Sequence, residues 1–178
     1  MSMPAAHMNP LPTLADLLRG YADAPALAVH GIASDTRQLG EGYAFFAVQG
    51  LGSHGLDYLE QACAAGICAV VWDASTGSAP SGIEVPAIAV DGLAARLGEI
   101  ADRYYGQPSE RLGVIGVTGT NGKTTVAWMV AQAFDLLGRA CGYLGTLGHG
   151  LGTVEDATGM TTPPAIELHG KRVGKDAV

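Results

Sequence analysis

The chain of 178 residues is acidic, with a formal net charge of -7 and a pI near 5.0. Apolar residues make up 48% of it and charged residues only 15%, which supplies a packed core and argues against disorder. It carries no basic stripe, no apolar run of membrane-spanning length and no pattern of a secretory signal. We therefore expect a cytoplasmic protein with no nucleic-acid partner and no membrane insertion.

The first part of the chain alternates short apolar runs with helical patterns. Thr13 is a predicted helix cap, and Asp16 three residues later completes a capping box. Continuous apolar runs predict strands at residues 26–32, 44–48, 67–72 and 86–90. Helices are predicted at residues 56–65, where Gly66 is a stop signal, and at 92–105.

From residue 112 the pattern becomes a strand–loop–helix–strand unit, which is the core of a parallel α/β domain. It comprises a predicted buried strand, a glycine-rich loop, a helix and a second strand, at residues 112–117, 119–125, 126–137 and 140–144. We therefore predict two domains, residues 1–109 and 110–178. The predicted fold class is α/β, a small N-terminal α/β domain followed by the incomplete beginning of a parallel-sheet P-loop ATPase domain.

The strongest motif is the loop at residues 119–125, between a predicted strand and a predicted helix. Its glycines let the backbone curl with N–H groups inward, as a nest for anionic oxygens, and the helix N-terminus points at the same place. Lys123 can reach the β- and γ-phosphates of a nucleotide, and the Thr124 hydroxyl can bind Mg²⁺. The spacing departs from the standard pattern, since five residues rather than four separate Gly116 from Gly122. The flanking elements disfavour an ordinary glycine-rich turn, but the loop indicates only a nucleoside triphosphate, not a reaction.

Residues 117–125 (VTGTNGKTT) resemble the phosphate loop of the Mur ligase superfamily, which includes the folylpolyglutamate synthases. Further segments resemble the MurE type of that superfamily, the UDP-N-acetylmuramoyl-tripeptide synthetases. These segments are SDTR at 34–37, GYAFFAVQG at 42–50, HGLDY at 54–58, AVV at 69–71 and TTP at 161–163. The chain departs from the family pattern at Thr36, at Tyr43 and in the order of residues 53–55.

The resemblance implies an ATP-dependent ligase that forms an amide bond in the cell-wall peptide. Such enzymes use ATP and Mg²⁺ to phosphorylate a carboxylate of UDP-N-acetylmuramoyl-L-alanyl-D-glutamate. The amine of a diamino acid, meso-diaminopimelate or L-lysine, then attacks the acyl phosphate. The resemblance makes residues 1–109 the UDP-substrate-binding domain and residues 110–178 the start of the central ATP-binding domain.

The family's functional positions carry over residue by residue. Uridine-nucleotide contacts are implied for Ser34, Thr36, Leu51, Gly52 and Ser53, and contacts to the muramoyl peptide for Thr161 and Thr162. The implied ATP loop comprises Gly119, Thr120, Asn121, Gly122, Lys123, Thr124 and Thr125. Lys123 and Thr124 would act in catalysis, and Thr124 would hold Mg²⁺. The family's other Mg²⁺ ligands and its amino-acid-selecting domain lie beyond the T-T-P segment, so we expect no diamino-acid site and no ligation by this chain alone.

Other interpretations stay open at the level of sequence. The chain could be a nucleotide-binding module without catalysis, or part of a MurF-type ligase that adds D-alanyl-D-alanine, or of a folylpolyglutamate-type ligase. Taken alone, residues 34–37 are also typical of a surface turn with an Asp–Arg pair, and Thr161 and Thr162 of a helix cap before proline. His54 and His149 lack spaced partner ligands, which argues against a metal site at either residue.

Overall fold

The structure is a computed structural model that describes the backbone of residues 11–50, 52–151 and 164–173. The chain divides into two compact units. The first runs to Pro108 and includes the chain from His169 onward, and the second runs from Ser109 to Leu168. In the described ranges, no helix is both long and apolar enough to cross a lipid bilayer. The α/β class predicted from the sequence is confirmed.

A four-stranded parallel sheet forms the centre of the first unit. Its strands lie side by side in chain order and are β1 (Gly31–Ala33), β2 (Tyr43–Ala47), β3 (Ala69–Asp73) and β4 (Ala87–Val90). The inner strands β2 and β3 are apolar and buried over nearly their whole length, as expected for a parallel sheet covered on both faces. Because side chains alternate along a strand, Phe45 and Phe46 belong to different faces, and both are buried.

Helices cover the two faces of this sheet. They are α1 (Leu14–Leu17), α2 (Leu59–Ala64) and α3 (Leu93–Tyr104), and 3₁₀ turns form at Thr36–Gln38, Gly55–Tyr58 and Pro108–Glu110. Ala62 of α2 packs in one core cluster with Phe45 and Val70, while α1 and α3 contact each other and α3 contacts β3. The capping box at Thr13 is present, because its hydroxyl accepts the N–H of Asp16 and the Asp16 carboxylate accepts the Thr13 N–H in return.

The buried carboxylate of Asp73 joins the end of β3 to the start of α3. It accepts hydrogen bonds from both the N–H and the hydroxyl of Ser75, at 3.0 and 2.6 Å, and from the N–H groups of Gly92 and Ala94. Burial works against the charged form, but these hydrogen bonds outweigh it and lower the pKa of Asp73. The carboxylate therefore takes the place of a side-chain cap for α3, whose own cap residue is Gly92.

The second unit contains α4 (Lys123–Leu136) and the antiparallel hairpin of β5 (Gly142–Gly145) and β6 (Gly148–Leu151). The last helix, α5 (Ala165–Val173), follows the undescribed residues 152–163. The strand predicted at residues 112–117 does not form, and Val114 and Ile115 are 67% and 59% exposed. A strand exists through hydrogen bonds to a neighbouring strand. In the described part of this unit residues 112–117 pair with no strand, β5 and β6 pair with each other in an antiparallel hairpin, and the predicted parallel arrangement is not seen there.

Candidate nucleotide-binding sites

The glycine-rich loop precedes α4, as the sequence predicts. Gly122 is the N-cap of the helix with φ 74°, a left-handed conformation that glycine adopts without strain, and Gly119 has φ 149°. A Cβ at Gly122 would meet nothing within 4 Å, so conformation rather than space requires glycine there. The two glycines turn the chain into the first turn of a helix of 14 residues, whose dipole places partial positive charge at this end.

The loop leaves its hydrogen-bond donors available. In the described part of the chain, no hydrogen bond uses the main-chain N–H groups of residues 120–125. The Lys123 ammonium folds back over the loop and donates to the carbonyl oxygens of Gly119 and Thr120, at 2.6 and 3.2 Å. One cation and a row of free N–H groups therefore meet at one exposed point, which is the chemistry that binds a polyphosphate.

Thr124 meets a second hydroxyl that the sequence analysis did not single out. Its Oγ1 lies 2.9 Å from Oγ1 of Thr146, in the two-residue turn between β5 and β6. The hairpin rests on α4 through an edge-to-face contact of Tyr143 with Trp128, with ring centroids 5.3 Å apart. The G-T-L-G sequence at 145–148 is a turn signal, but no spacing rule connects it with a helix that begins 22 residues earlier.

The Thr124 hydroxyl suits Mg²⁺ as a hard oxygen ligand. Mg²⁺ commonly keeps several waters and takes only one or two protein ligands beside substrate phosphates. Within the described ranges no group of three His, Cys, Asp or Glu side chains could hold a metal ion by itself. A site at Thr124 would therefore hold Mg²⁺ together with a bound nucleotide and not as a preformed protein cage.

In the first unit, the predicted uridine-binding residues follow the carboxyl ends of β1 and β2. Ser34 comes directly after β1, and Gly52 and Ser53 lie in the loop after β2. Ends of neighbouring parallel strands lie at one edge of a sheet, which is where open α/β sheets bind ligands. The structure therefore places these two groups of predicted residues at the same edge. Leu51, Thr161 and Thr162 lie outside the described residues.

Polar contacts within the chain hold the segment after β1. The Thr36 hydroxyl donates to the Gln61 side chain of α2 at 3.0 Å. Asp35 accepts the Arg37 N–H and pairs with both Nε and Nη2 of the Arg37 guanidinium. The hydrogen bond from the Arg37 side chain is the main cause that lowers the pKa of Asp35. The Asp–Arg pair predicted for a surface turn is thus present.

His54 links the loop after β2 to the loop after β3. Its Nδ1 accepts the Leu56 N–H at 3.1 Å, and its Nε2 lies 3.2 Å from the Thr76 hydroxyl. The acceptor role fixes Nδ1 as the bare nitrogen, so Nε2 carries the proton toward Thr76. Ser53, the preceding residue, bonds through its hydroxyl with that of Tyr58 at 3.1 Å. The sequence argued against a metal site at His54, and its contacts give it a structural role.

Two family sequence profiles match the chain. The profile described as Mur ligase family, catalytic domain, matches residues 28–105, and the Mur ligase middle domain matches residues 117–171. Together they cover about three quarters of the sequence. The chain belongs to the Mur ligase family. The resemblance stated from its motifs is therefore confirmed.

Curated relatives from several bacteria share one printed name, UDP-N-acetylmuramoyl-L-alanyl-D-glutamate--2,6-diaminopimelate ligase. The protein of Xylella fastidiosa strain 9a5c is 46% identical over 158 residues, which are 88% of this chain and 31% of that protein. The protein of Alkalilimnicola ehrlichii is 43% identical over 90% of this chain and 34% of its own length. The chain thus spans about a third of the length of the curated relatives it matches.

Solved structures of Mur ligases share the fold. A structure titled as UDP-N-acetylmuramoyl-L-alanyl-D-glutamate--2,6-diaminopimelate ligase superposes with a TM-score of 0.65 at 20% identity, over 92% of this chain and 33% of that one. The D-alanyl-D-alanyl ligase of Acinetobacter baumannii gives 0.54 at 24% identity, over 75% of this chain and 30% of that one. At these identities the structures show the fold alone.

Proposed function

We propose that this chain is the nucleotide-handling part of an ATP-dependent ligase that adds a diamino acid to UDP-N-acetylmuramoyl-L-alanyl-D-glutamate in peptidoglycan precursor synthesis. The loop of residues 119–125 carries the proposal, with free N–H groups, a helix N-terminus and the Lys123 ammonium at one point. The shared name of the curated relatives favours 2,6-diaminopimelate over lysine as the diamino acid. It also favours this reaction over the MurF-type and folylpolyglutamate-type alternatives.

The proposed reaction has two steps. A carboxylate oxygen of the substrate attacks the γ-phosphorus of ATP, the bond to the β-phosphate oxygen breaks, and ADP leaves. The amine of the diamino acid then attacks the acyl carbon, inorganic phosphate leaves, and the amine loses a proton to give the amide. Phosphoryl transfer needs positioning and charge neutralisation more than covalent help from the protein. The loop N–H groups and Lys123 would supply these for the phosphates.

Roles of single residues follow from their positions. Lys123 would leave the carbonyl oxygens of Gly119 and Thr120 and bind the β- and γ-phosphates, since an anion is a stronger partner than a neutral carbonyl. Thr124 would hold Mg²⁺, which screens the charge between the same phosphates. In the first unit, Ser34, Thr36 and the loop with Gly52 and Ser53 would bind the uridine nucleotide, and Thr161 and Thr162 would contact the muramoyl peptide.

Calorimetric titration of the chain with ATP–Mg²⁺ tests the proposal. We expect the chain to bind ATP–Mg²⁺ and UDP-N-acetylmuramoyl-L-alanyl-D-glutamate. Lys123→Ala should weaken ATP binding by about tenfold or more, since hydrogen bonds to charged groups contribute roughly 1.5–3 kcal/mol.

Arg139→Ala is the matched control. Arg139 is also an exposed cation of the second unit, but its guanidinium lies against the Phe134 ring, at 5.0 Å, near the other end of α4. Arg139→Ala removes one positive charge, as Lys123→Ala does, and should leave ATP affinity within a factor of two. Equal losses of ATP affinity in both variants would show that Lys123 acts only through its charge and not through its place in the loop. Absence of ATP binding by the unsubstituted chain would refute the proposal.

A further inference from the structure

We propose that Thr146 is a positioning residue that aims the Thr124 hydroxyl at Mg²⁺, which makes the β5–β6 hairpin part of the metal–nucleotide site. The proposal rests on the nucleotide-binding function proposed above. Its physical basis is the 2.9 Å contact between the two hydroxyl oxygens.

Binding of Mg²⁺ by Thr124 would decide which hydroxyl donates in this hydrogen bond. A hydroxyl has one hydrogen to donate and two lone pairs to accept with. When Thr124 gives a lone pair to a cation, its hydrogen must point away from that cation. Thr146 Oγ1 stands at hydrogen-bond distance to take that hydrogen, so the acceptor fixes the rotation of the Thr124 hydroxyl and turns its lone pairs outward. Without such an acceptor the rotor stays free and ordering it costs entropy on every binding event.

The packing of the β5–β6 hairpin against α4 sets the position of Thr146. Trp128 lies one helical turn after Thr124 on the same face of α4, and the Tyr143 ring packs edge-on against Trp128 at an interplanar angle of 85°. Three residues beyond Tyr143 the strand reaches the turn at Thr146. Gly145 has no room for a side chain because a Cβ would clash with the Tyr143 ring, and Gly148 has φ 120°. Both positions that flank the two-residue turn therefore favour glycine.

The contact also leaves Thr146 with a free donor. Once Thr146 accepts from Thr124, its own hydrogen points elsewhere, and the residue is exposed. A water bound to the metal can accept it, and such a water is present only when Mg²⁺ is bound. Thr146 therefore acts on the metal-dependent part of nucleotide binding and not on the loop N–H groups that bind phosphate without metal.

Calorimetric titration with ATP, in Mg²⁺ and separately in EDTA, tests this assignment. Thr146→Val keeps the shape of the side chain and removes the hydroxyl. We expect it to weaken binding in Mg²⁺ by about two- to tenfold, as for one hydrogen bond between neutral groups, and to leave the affinity in EDTA unchanged. Thr146→Ser keeps the hydroxyl and should bind within twofold of the unsubstituted chain in both conditions.

Two further variants separate positioning from general damage. Leu147→Ala perturbs the same turn at a side chain that is 47% exposed, and should change neither affinity. In a Thr124→Ala background, Thr146→Val should cause no further loss of ATP affinity, because the Thr124 hydroxyl that Thr146 orients is absent.

A normal Mg²⁺ dependence in Thr146→Val would overturn the assignment. Equal losses in Mg²⁺ and EDTA, shared by Leu147→Ala, would also overturn it, since they would mark the turn as merely structural. No ATP binding by the unsubstituted chain in either buffer would instead remove the proposed function on which the assignment depends.

Discussion

At the scale of single residues, Asp73 illustrates how one buried carboxylate can stabilise the first unit. The charged form accepts hydrogen bonds from Ser75, Gly92 and Ala94, and these lower its pKa despite the burial that opposes ionisation. A depressed folded-state pKa contributes stability at pH values above the unfolded pKa, about 3.9 for aspartate, and the contribution is lost as pH falls through the folded pKa.

We therefore expect Asp73→Asn to lower the free energy of unfolding by about 1–3 kcal/mol at pH 7, the range for hydrogen bonds to a charged, buried group. The difference from the unsubstituted chain should shrink as pH falls below about 4, because protonated aspartate resembles asparagine. Urea unfolding followed by Trp72 fluorescence in a Trp128→Phe background measures it. Asp91→Asn, an exposed aspartate just before α3, should change stability by less than about 0.5 kcal/mol. A pH-independent difference for Asp73→Asn would contradict this account.

Residue-level features were predictable where the contact is local in sequence. The capping box of Thr13 and Asp16 follows from a spacing of three, and the structure shows it. The contacts of Thr124 with Thr146 and of His54 with Thr76 each join residues 22 positions apart. Such pairs depend on how a strand packs beside a helix or another loop, which no local pattern encodes. The sequence therefore indicated the phosphate loop but not the hydroxyl that faces it.

At the scale of elements, the close packing of β2 against the following 3₁₀ turn depends on Gly55. A Cβ there would lie 2.7 Å from Cα of Ala47 and 3.0 Å from N of Val48, both main-chain atoms that cannot move aside cheaply. Gly55→Ala should therefore destabilise the first unit by about 1–3 kcal/mol, the range for overpacking. It should also displace the adjoining loop with Gly52 and Ser53 and weaken binding of the uridine nucleotide.

Gly98→Ala is the matched control, with the opposite expected sign. Gly98 lies inside α3, and a Cβ added there would meet nothing within 4 Å, so alanine should stabilise the helix by about 0.5–1 kcal/mol. Urea unfolding monitored by Trp72 compares both variants. If Gly55→Ala were neutral, the close approach of the 3₁₀ turn to β2 would not be required for the fold.

The elements predicted best are those whose partners lie nearby. Strands β2, β3 and β4 and helices α3 and α4 form within a few residues of their predicted bounds. The strand predicted at residues 26–32 forms later, as Gly31–Ala33, because its length is set by pairing with Tyr43–Phe45 of β2. Residues 112–117 have the apolar pattern of a buried strand but no neighbouring strand in the described part of the chain. An apolar run predicts the capacity to pair, and the partner decides whether a strand forms.

At the scale of the whole molecule, the two units differ in how much apolar surface they bury. The first unit encloses Phe45, Phe46 and the strands around them. In the second, Met129, Leu136 and Leu137 of α4 and its C-cap are 61%, 88% and 75% exposed. Since burial of apolar area is the main source of folding free energy, we expect the second unit to unfold at the lower urea concentration.

This difference allows each proposed ligand to be assigned to a unit. Trp72 lies in the core of the first unit and Trp128 on α4 of the second, so Trp128→Phe and Trp72→Phe leave one reporter for each. A ligand that binds only the folded form stabilises it by RT ln(1 + [L]/Kd), about 2.7 kcal/mol at a concentration 100 times Kd.

We expect ATP–Mg²⁺ to raise the urea midpoint reported by Trp128 and not that reported by Trp72. Uridine diphosphate, which lacks the muramoyl peptide, should do the reverse. If uridine diphosphate raised the Trp128 midpoint and left the Trp72 midpoint unchanged, the uridine site would not lie at the carboxyl edge of the four-stranded sheet, and the roles given to Ser34, Thr36 and Ser53 would be wrong.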